Sequence, residues 1–302
     1  MDLSTALIFL QQGIISGIVI GSVYALIAIS AVIIFKATDI PNFAQGEFMT
    51  VGAFLSLILL IPTFAGLPYY LVIPITALVC FLLGVTVNGL VMQPITKAKG
   101  TLVAMVIATL GISFIIKGAA RYSGLANSPR TFPALFSTDA IFIGDSVLTG
   151  QDIAILVFAV VAMLVFFAFF NFTRHGRAMR AVAMNPRAAA LVGINLARVR
   201  MTIWGTSALL TGLAAILIGP KLLLTPDMGI IAIVAFAAAI IGGFHNLPGA
   251  IIGGFMIGIL ENLIGAFVAT NAIRLTPFMV IMLVLLIRPQ GLLGGKAQVK
   301  KV

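Results

Sequence analysis

A chain of 302 residues that is 61% hydrophobic and only 9% charged, with a mean hydropathy of +1.21, has too little polar surface to face water on every side. Lipid is therefore its solvent, and a pair of soluble globular domains is excluded. The formal charge of +10 does not indicate nucleic acid, because Lys and Arg fall in short breaks between apolar stretches with no aromatic interleaving; the bias of basic residues towards cytoplasmic loops accounts for it.

A bilayer core about 30 Å thick takes roughly 20 helical residues to cross. Apolar runs occupy residues 13–35, 43–61, 69–95, 101–120, 152–172, 201–220, 229–243, 249–268 and 276–288. They are longer than the roughly 10 residues of a barrel strand and do not alternate, which favours helices. The expected fold is all-α and polytopic, a single transmembrane domain over 1–302 with about eight transmembrane helices, seven to nine being compatible with the pattern. The N-terminus carries Asp2 in place of a basic segment, so the first helix is expected to be retained instead of cleaved as a signal.

The first run holds Gly13, Gly17 and Gly21 at four-residue spacing, which puts them on one helix face and allows close backbone packing. The second run opens at Pro41-Asn42, turn and helix-start chemistry at the edge of apolar sequence, where Asn42 either caps the helix or lines a cavity. Gln45 and Glu47 follow within a turn. Glu47 reads either as a carboxylate favoured by the helix dipole and structurally paired, or as a group on a solute path. Cys80, the lone cysteine, excludes an internal disulfide and reads as packing. Tyr24, Asn88 and Lys117 are polar interruptions, and Lys117, near a helix end, is expected to snorkel to the interface.

The segment 174–200 carries Arg174, Arg177, Arg180, Arg187, Arg198 and Arg200 and no acid, so it is expected in the cytoplasm as a coupling loop. Lys97, Lys99, Arg288, Lys296, Lys300 and Lys301 fall on the same side if the runs alternate, and the loop from Arg121 to Asp152 falls outside. Nine spans would put the N-terminus outside and the C-terminus inside, whereas eight would put both inside. Within the loop, Asn185-Pro186 breaks the chain. Arg187-Ala188-Ala189-Ala190-Leu191-Val192-Gly193 then reads as a short helix closed by glycine, suited to insert into a groove of another protein.

Further on, Ala235, Ala239 and Gly243 repeat the four-residue spacing of small residues, as do Gly249, Gly253 and Gly254, Gly258. The eighth run follows Asn246-Leu247-Pro248-Gly249, so either it or the second run is a candidate half-helix or re-entrant segment. Glu261 lies about 18 Å along a helix from Gly249, too deep for the interface, and must face protein or water. With Asn262 beside it, it reads as an interhelical hydrogen bond or a gate. No Gly-x-x-x-x-Gly-Lys-Ser/Thr run occurs, and His175 and His245 sit in no metal-binding frame, so the chain is expected to carry no P-loop ATPase, metal or cofactor of its own.

The stretch Arg187 to Gly193 resembles the Glu-Ala-Ala-x-x-x-Gly loop by which bacterial ABC permeases engage their ATPases, with Arg187 in the glutamate position. The likeness extends along the chain: Gly21-Ser22-Val23-Tyr24-Ala25-Leu26-Ile27-Ala28, Asn42-Phe43-Ala44-Gln45-Gly46-Glu47, Gly176-Arg177-Ala178-Met179-Arg180-Ala181, Gly193-Ile194-Asn195, Pro248-Gly249-Ala250-Ile251-Ile252-Gly253-Gly254, and Arg288-Pro289-Gln290-Gly291-Leu292. In order and spacing these resemble the LivH-type branched-chain amino acid permeases, with Gln45 at the usual histidine. The resemblance implies an ABC importer of the cell inner membrane. A LivM-like second permease, two cytoplasmic ATPases binding ATP and Mg, and a periplasmic solute-binding protein would be its partners. It also implies a coupling role for Arg177, Arg180 and the segment Asn185, Pro186, Arg187, Ala188, Ala189, Ala190 and Gly193. Asn42, Gln45, Glu47, Glu261 and Asn262 are the candidates for the solute path. The family includes permeases for urea and short amides, so the solute stays open. A self-sufficient secondary transporter or channel using Glu47 and Glu261 as ion sites is the rival reading, and a membrane scaffold or sensor without transport is a third.

Overall fold

The computed structural model describes residues 2–62, 64–124, 128–136 and 139–294. In chain order these form α1 (Leu3–Thr38), α2 (Gln45–Leu60), α3 (Tyr69–Val87), α4 (Gln93–Lys97), α5 (Leu102–Tyr122), β1 (Ala140–Ile143), β2 (Ser146–Thr149), α6 (Gly150–Phe172), α7 (Arg174–Met184), α8 (Pro186–Leu191), α9 (Leu196–Ile218), α10 (Ile230–Gly242), α11 (Leu247–Phe267) and α12 (Thr276–Ile287). A π-helical segment, Asn88–Met92, joins α3 to α4. Every apolar run of the sequence is helical, and the fold is that of an all-α polytopic membrane protein.

Six helical stretches are long and apolar enough to cross a bilayer: Leu3–Thr38, Tyr69–Lys97, Leu102–Tyr122, Gly150–Phe172, Leu196–Lys221 and Leu247–Phe267. Helices α2, α10 and α12 have 16, 13 and 12 residues, or about 18 to 24 Å at 1.5 Å per residue, short of a ~30 Å core. The second run is thus short, as expected. The eighth is a full 21-residue helix. Pro248 sits in the first turn of α11, where its missing N–H is not needed, so it starts that helix instead of interrupting it. Of the basic tail, Lys296, Lys300 and Lys301 lie outside the described residues.

Two further differences from the sequence reading concern the ends. Helix α1 starts about ten residues before the apolar run, and the segment before α6 holds an antiparallel hairpin, β1 with β2, turning at Gly144 (φ +64°). Gln12 explains part of both: its Nε2 donates to the Val147 carbonyl (3.0 Å) and its Oε1 accepts from the Val147 N–H (2.8 Å). One side-chain amide thereby satisfies both backbone groups of a strand residue that has no further strand beside it.

The chain clusters into two compact units, one made of Met1–Val32, Phe136–Ala159 and Ile233–Val302, the other of Ile33–Leu135 and Val160–Ala232. In the first, the glycine stripes of α1 and α11 face each other. A Cβ at Gly17 would stand 2.5 Å from Ile259 Cα, one at Gly21 2.8 Å from Phe255 Cα, and one at Gly258 2.5 Å from Gly21 Cα. Only glycine allows that backbone approach, which replaces the hydrophobic drive that lipid does not supply. The Arg288 to Leu292 motif closes the end of α10 in the same unit. Gly243 (φ +99°) and Gly291 (φ +81°) meet back to back, Leu292 N–H donates to the Ile241 carbonyl (2.7 Å), and Asn246 Nδ2 donates to the Leu293 carbonyl (2.9 Å).

The second unit is built on α9, which packs against α2 and α3. Gly52 of α2 lies against Gly212, whose own Cβ would stand 3.0 Å from the Cβ of buried Cys80; Gly205 lies under the Phe81 ring. Cys80 is free and acts as a small packing group. On α5, Gly111 and Gly118 have no atom within 4 Å, and Val103, Ile107, Phe114 and Ile115 are exposed, the surface expected of a helix facing lipid.

Candidate functional site

The polar candidates of α2 fall in the second unit and have different surroundings. Gln45 is the centre of a closed hydrogen-bond network. Its Oε1 accepts from Asn42 Nδ2 (3.1 Å) and Ser207 Oγ (3.1 Å), its Nε2 donates to Thr211 Oγ1, and the Thr211 hydroxyl donates to the Ser207 carbonyl (3.0 Å). All four residues are buried. Asn42 does not cap α2. The capping position is held by Ala44, and Asn42 Oδ1 instead accepts the Ala44 N–H (3.1 Å) in a turn preceding the helix. The reason is register: α2 starts at Gln45, two residues beyond the apolar edge from which the cap was read, which frees the Asn42 amide for Gln45. A saturated polar network of this kind fixes a unique arrangement of α2 on α9.

Two residues on, Glu47 is buried to 2% exposure and lies beside Gly229, whose added Cβ would come within 2.7 Å of Glu47 Oε1. That same oxygen accepts from Ser113 Oγ (3.1 Å) and pairs with Lys117 Nζ (3.4 Å). Lys117 also reaches Asp227 (4.0 Å), which Arg121 approaches at 3.4 Å, so two acids and two bases form a neutral chain. Glu47 Oε2 is buried with no hydrogen-bond partner among the described residues. Lys117, 28% exposed, thus bridges the buried Glu47 carboxylate and the exposed Asp227 carboxylate.

In the first unit, the Glu261 carboxylate is buried in α11 and accepts the Tyr24 hydroxyl of α1 at 2.8 Å. Asn262 points its amide along its own helix, donating to the Gly258 carbonyl (2.8 Å). Of the two residues, Glu261 alone makes a side-chain bond across helices. Tyr24, Ser113, Ser207, Thr211 and Asp227 are site partners that the sequence reading did not select. Their signal was weak, since hydroxyls in apolar helices usually bond to the preceding turn, as Thr50, Ser56 and Thr206 do here.

The arginine-rich segment 174–200 holds α7, α8 and the first turns of α9, where Arg198 and Arg200 sit. Thr173 caps α7 by accepting the Gly176 N–H (3.0 Å), and Gly176 presses on the carbonyls of Phe169 and Phe170. Arg180 folds back to α6, donating from Nη1 to Asn171 Oδ1 (2.6 Å) and from Nη2 to the Asn171 carbonyl (3.1 Å), with its guanidinium 5.8 Å from the Phe170 ring centre. Arg177 is exposed. Asn185 then caps α8, its Oδ1 accepting the Ala188 N–H (3.1 Å), with Pro186 in the first turn. Gly193 (φ +83°) ends it. The Gly193 N–H donates to the Ala190 carbonyl and the Ile194 N–H to the Ala189 carbonyl, a glycine-closed helix end. Ala189 is buried, whereas Arg187, Ala188 and Ala190 are exposed. Leu191 and Val192 stand 89% and 77% exposed at the tip. Among the described residues, no group of three or more His, Cys, Asp or Glu side chains is placed to hold a metal ion.

Residues 13–287 match the family described as branched-chain amino acid transport system / permease component. The chain is 30% identical to the high-affinity branched-chain amino acid transport system permease protein LivH of Salmonella typhimurium, over 98% of each chain. It is 31% identical to BraD of Pseudomonas aeruginosa, described in the same terms, over 97% of this chain and 98% of that one. A fructose import permease protein, FruG of Bifidobacterium longum, is 26% identical over 86% of this chain and 77% of its own. With the family's pattern spanning nearly the whole chain, and its apolar helices built to cross a membrane, the protein is a multi-pass inner-membrane protein that belongs to the branched-chain amino acid transport system permease family.

Proposed function

We propose that the chain is the permease subunit of an ABC importer that takes up a branched-chain amino acid or a related small polar solute. A second, LivM-like permease, two cytoplasmic ATPases that bind ATP and Mg, and a periplasmic solute-binding protein complete it. The chain itself contributes a path and a moving part, and hydrolysis belongs to its partners.

The observation that carries this reading is α8: a one-and-a-half-turn helix fixed at both ends by Asn185 and Gly193, presenting small and apolar side chains outward. In water such a tip gains nothing from exposure, and in a groove of another protein it buries its apolar surface. Arg177 and Arg187 flank it with charge. The +6 of segment 174–200 supports its cytoplasmic placement. Nucleotide-driven closure of the ATPases would pull on α8, and the bundle would change its open side because the two ATPase states hold α8 differently. Asn42, Gln45 and Glu47 are proposed as solute-path residues of their unit, and Glu261 and Asn262, separately, as solute-path residues of theirs. The unpartnered Glu47 Oε2 supports a solute-facing role for that carboxylate, and the saturation of Gln45 supports a supporting one.

The test is reconstitution of the assembled importer with Leu191→Asp and Arg187→Glu. Both positions are exposed, so insertion and melting should not change, while uptake and solute-stimulated ATP hydrolysis should fall at least tenfold. Ala189→Asp is the wrong probe, since Ala189 is buried and its replacement would unfold the segment. Undiminished uptake in both surface variants would remove the coupling assignment.

A further inference from the structure

The hairpin that precedes α6 has two edges, and the chain treats them differently. Val147 of β2 pairs with Phe142 of β1, and Thr149 pairs with Ala140. Neither β2 residue gives its N–H to β1. That of Val147 goes to Gln12 Oε1 (2.8 Å) and that of Thr149 to Asp152 Oδ2 (3.1 Å), and the Val147 carbonyl accepts from Gln12 Nε2 (3.0 Å). Both are therefore the non-bonded pairs of an antiparallel ladder, in which facing residues turn their N–H and C=O groups away from each other. Ala140 and Phe142 accordingly direct two N–H and two C=O groups to the open edge of β1, and among the described residues nothing meets them there.

The edge of β2 is closed by the side chains of Gln12 and Asp152, whereas β1, Ala140-Ile141-Phe142-Ile143, has no charge and no proline to blunt it. An apolar strand edge left open is a template for another strand. Unpaired backbone groups do not rest in hydrocarbon, so this edge faces water, where Ile141 and Phe142 are exposed. One kind of neighbour satisfies the backbone groups and covers the apolar side chains together: an extended segment laid alongside. Charge selects which. Residues 131–149 include Asp139 and Asp145, one beyond each end of β1, and no Lys or Arg. Two copies of this chain joined edge to edge would gather the acids of both with no base, which opposes self-pairing. A segment with basic residues on either side of an apolar centre is the complement. Position selects the compartment: α6 crosses the membrane once between the hairpin and segment 174–200, and the charge of that segment supports a cytoplasmic place for it and an outer one for the hairpin.

We infer that the open edge of β1 is a docking site, on the outer face, for an extended, basic-flanked segment of a water-soluble protein, which joins the hairpin as a third strand. The inference goes beyond the transport reading and fails or stands separately from it. Its test uses the full chain in dodecylmaltoside and a fluorescein-labelled peptide, Lys-Thr-Val-Ile-Val-Thr-Lys. Peptide anisotropy should rise saturably with added protein, and amide exchange at residues 140–142 should slow. The same peptide N-methylated at its three central residues keeps its side chains and loses its strand donors, so it should bind at least tenfold more weakly. Glutamate in place of both lysines should weaken binding by about the same factor, and by more at low salt.

Phe142→Pro should also weaken the peptide at least tenfold. The N–H it removes points out of the hairpin, a place where an edge strand accepts proline, so the Leu148 amide, opposite Ile141 in the bonded ladder, should stay protected from exchange. Phe142→Thr keeps the backbone donor and should bind within about threefold of the wild type. Absence of a saturable response, equal affinity of the N-methylated peptide, or wild-type affinity in Phe142→Pro with Leu148 protected overturns strand addition. Should Leu148 lose its protection in that variant, the N-methylated peptide decides alone. Equal binding of the glutamate peptide overturns the basic occupant, and a peptide-independent dimer that Phe142→Pro dissolves overturns it in favour of a second copy of this chain.

Discussion

Substitution of Gly17 by alanine adds a single methyl group where it should matter most. The new Cβ would stand 2.5 Å from Ile259 Cα and 2.9 Å from the Gly258 carbonyl oxygen, whereas unbonded carbons rest at about 3.5 to 4 Å. Both obstacles are backbone, so no rotamer change relieves them, and α1 and α11 must separate by about 1 Å along this seam. Overpacking of that kind costs about 1 to 3 kcal/mol, and alanine returns up to about 1 kcal/mol of helix propensity. The expected net loss is about 0 to 2 kcal/mol, towards the upper end because both obstacles are backbone. Gly111→Ala is the internal control, because that position has no atom within 4 Å and keeps only the propensity gain. The two substitutions are chemically identical and should have opposite signs. Reversible unfolding in mixed dodecylmaltoside and SDS micelles, followed by far-UV ellipticity, reads both. Gly17→Ala matching or exceeding the wild type in stability would refute the close-packed seam, as would Gly111→Ala falling as far as Gly17→Ala.

Three further outcomes are expected. Lys117→Met should destabilise by about 3 to 5 kcal/mol, because it strands the Glu47 carboxylate in apolar surroundings, and Glu47→Gln added to it should restore at least 1 kcal/mol in the same unfolding assay. Additive losses in that cycle would show that the two groups do not interact. Tyr24→Phe removes the donor to buried Glu261 and should cost about 1.5 to 3 kcal/mol, with Glu261→Gln alone costing less because its amide finds the Tyr24 oxygen. Gly193→Val should strain the end of α8 by about 1 to 2 kcal/mol through its φ of +83°, since no neighbour crowds the site, while Gly193→Asn should be tolerated. Faster hydrogen exchange over residues 186–194 in the valine variant alone is the readout.

Local chemistry explains which parts of this arrangement can be read from sequence. Nine apolar runs became nine helices because lipid leaves the backbone no other way to satisfy its polar groups. The glycine stripes of α1 and α11 were visible through their spacing of four, and the ends of α8 through Asn185-Pro186 and Gly193, since caps act within a few residues. Partnership was not visible. Tyr24 meets Glu261 across 237 positions and Gln45 meets Thr211 across 166, and periodicity carries no record of which stripe faces which. Lys117 is the instructive case: its place near a helix end was legible, but its pairing with Glu47 and Asp227, which lie far off in the chain, was not. The hairpin at 140–149 was missed because its strands are four residues each and depend on Gln12, far upstream.

The joint between α6 and α7 has a mechanical consequence. Gly176 is seated directly on two carbonyls, the Thr173 hydroxyl ties the turn from both sides, and Arg180 clamps the first turns of α7 back onto Asn171 and Phe170. A bend locked by so many short contacts has little compliance. If α8 is the coupling element proposed above, a push at its tip would meet no slack linker at this joint and would pass as torque to the last turns of α6, a crank in place of a hinge.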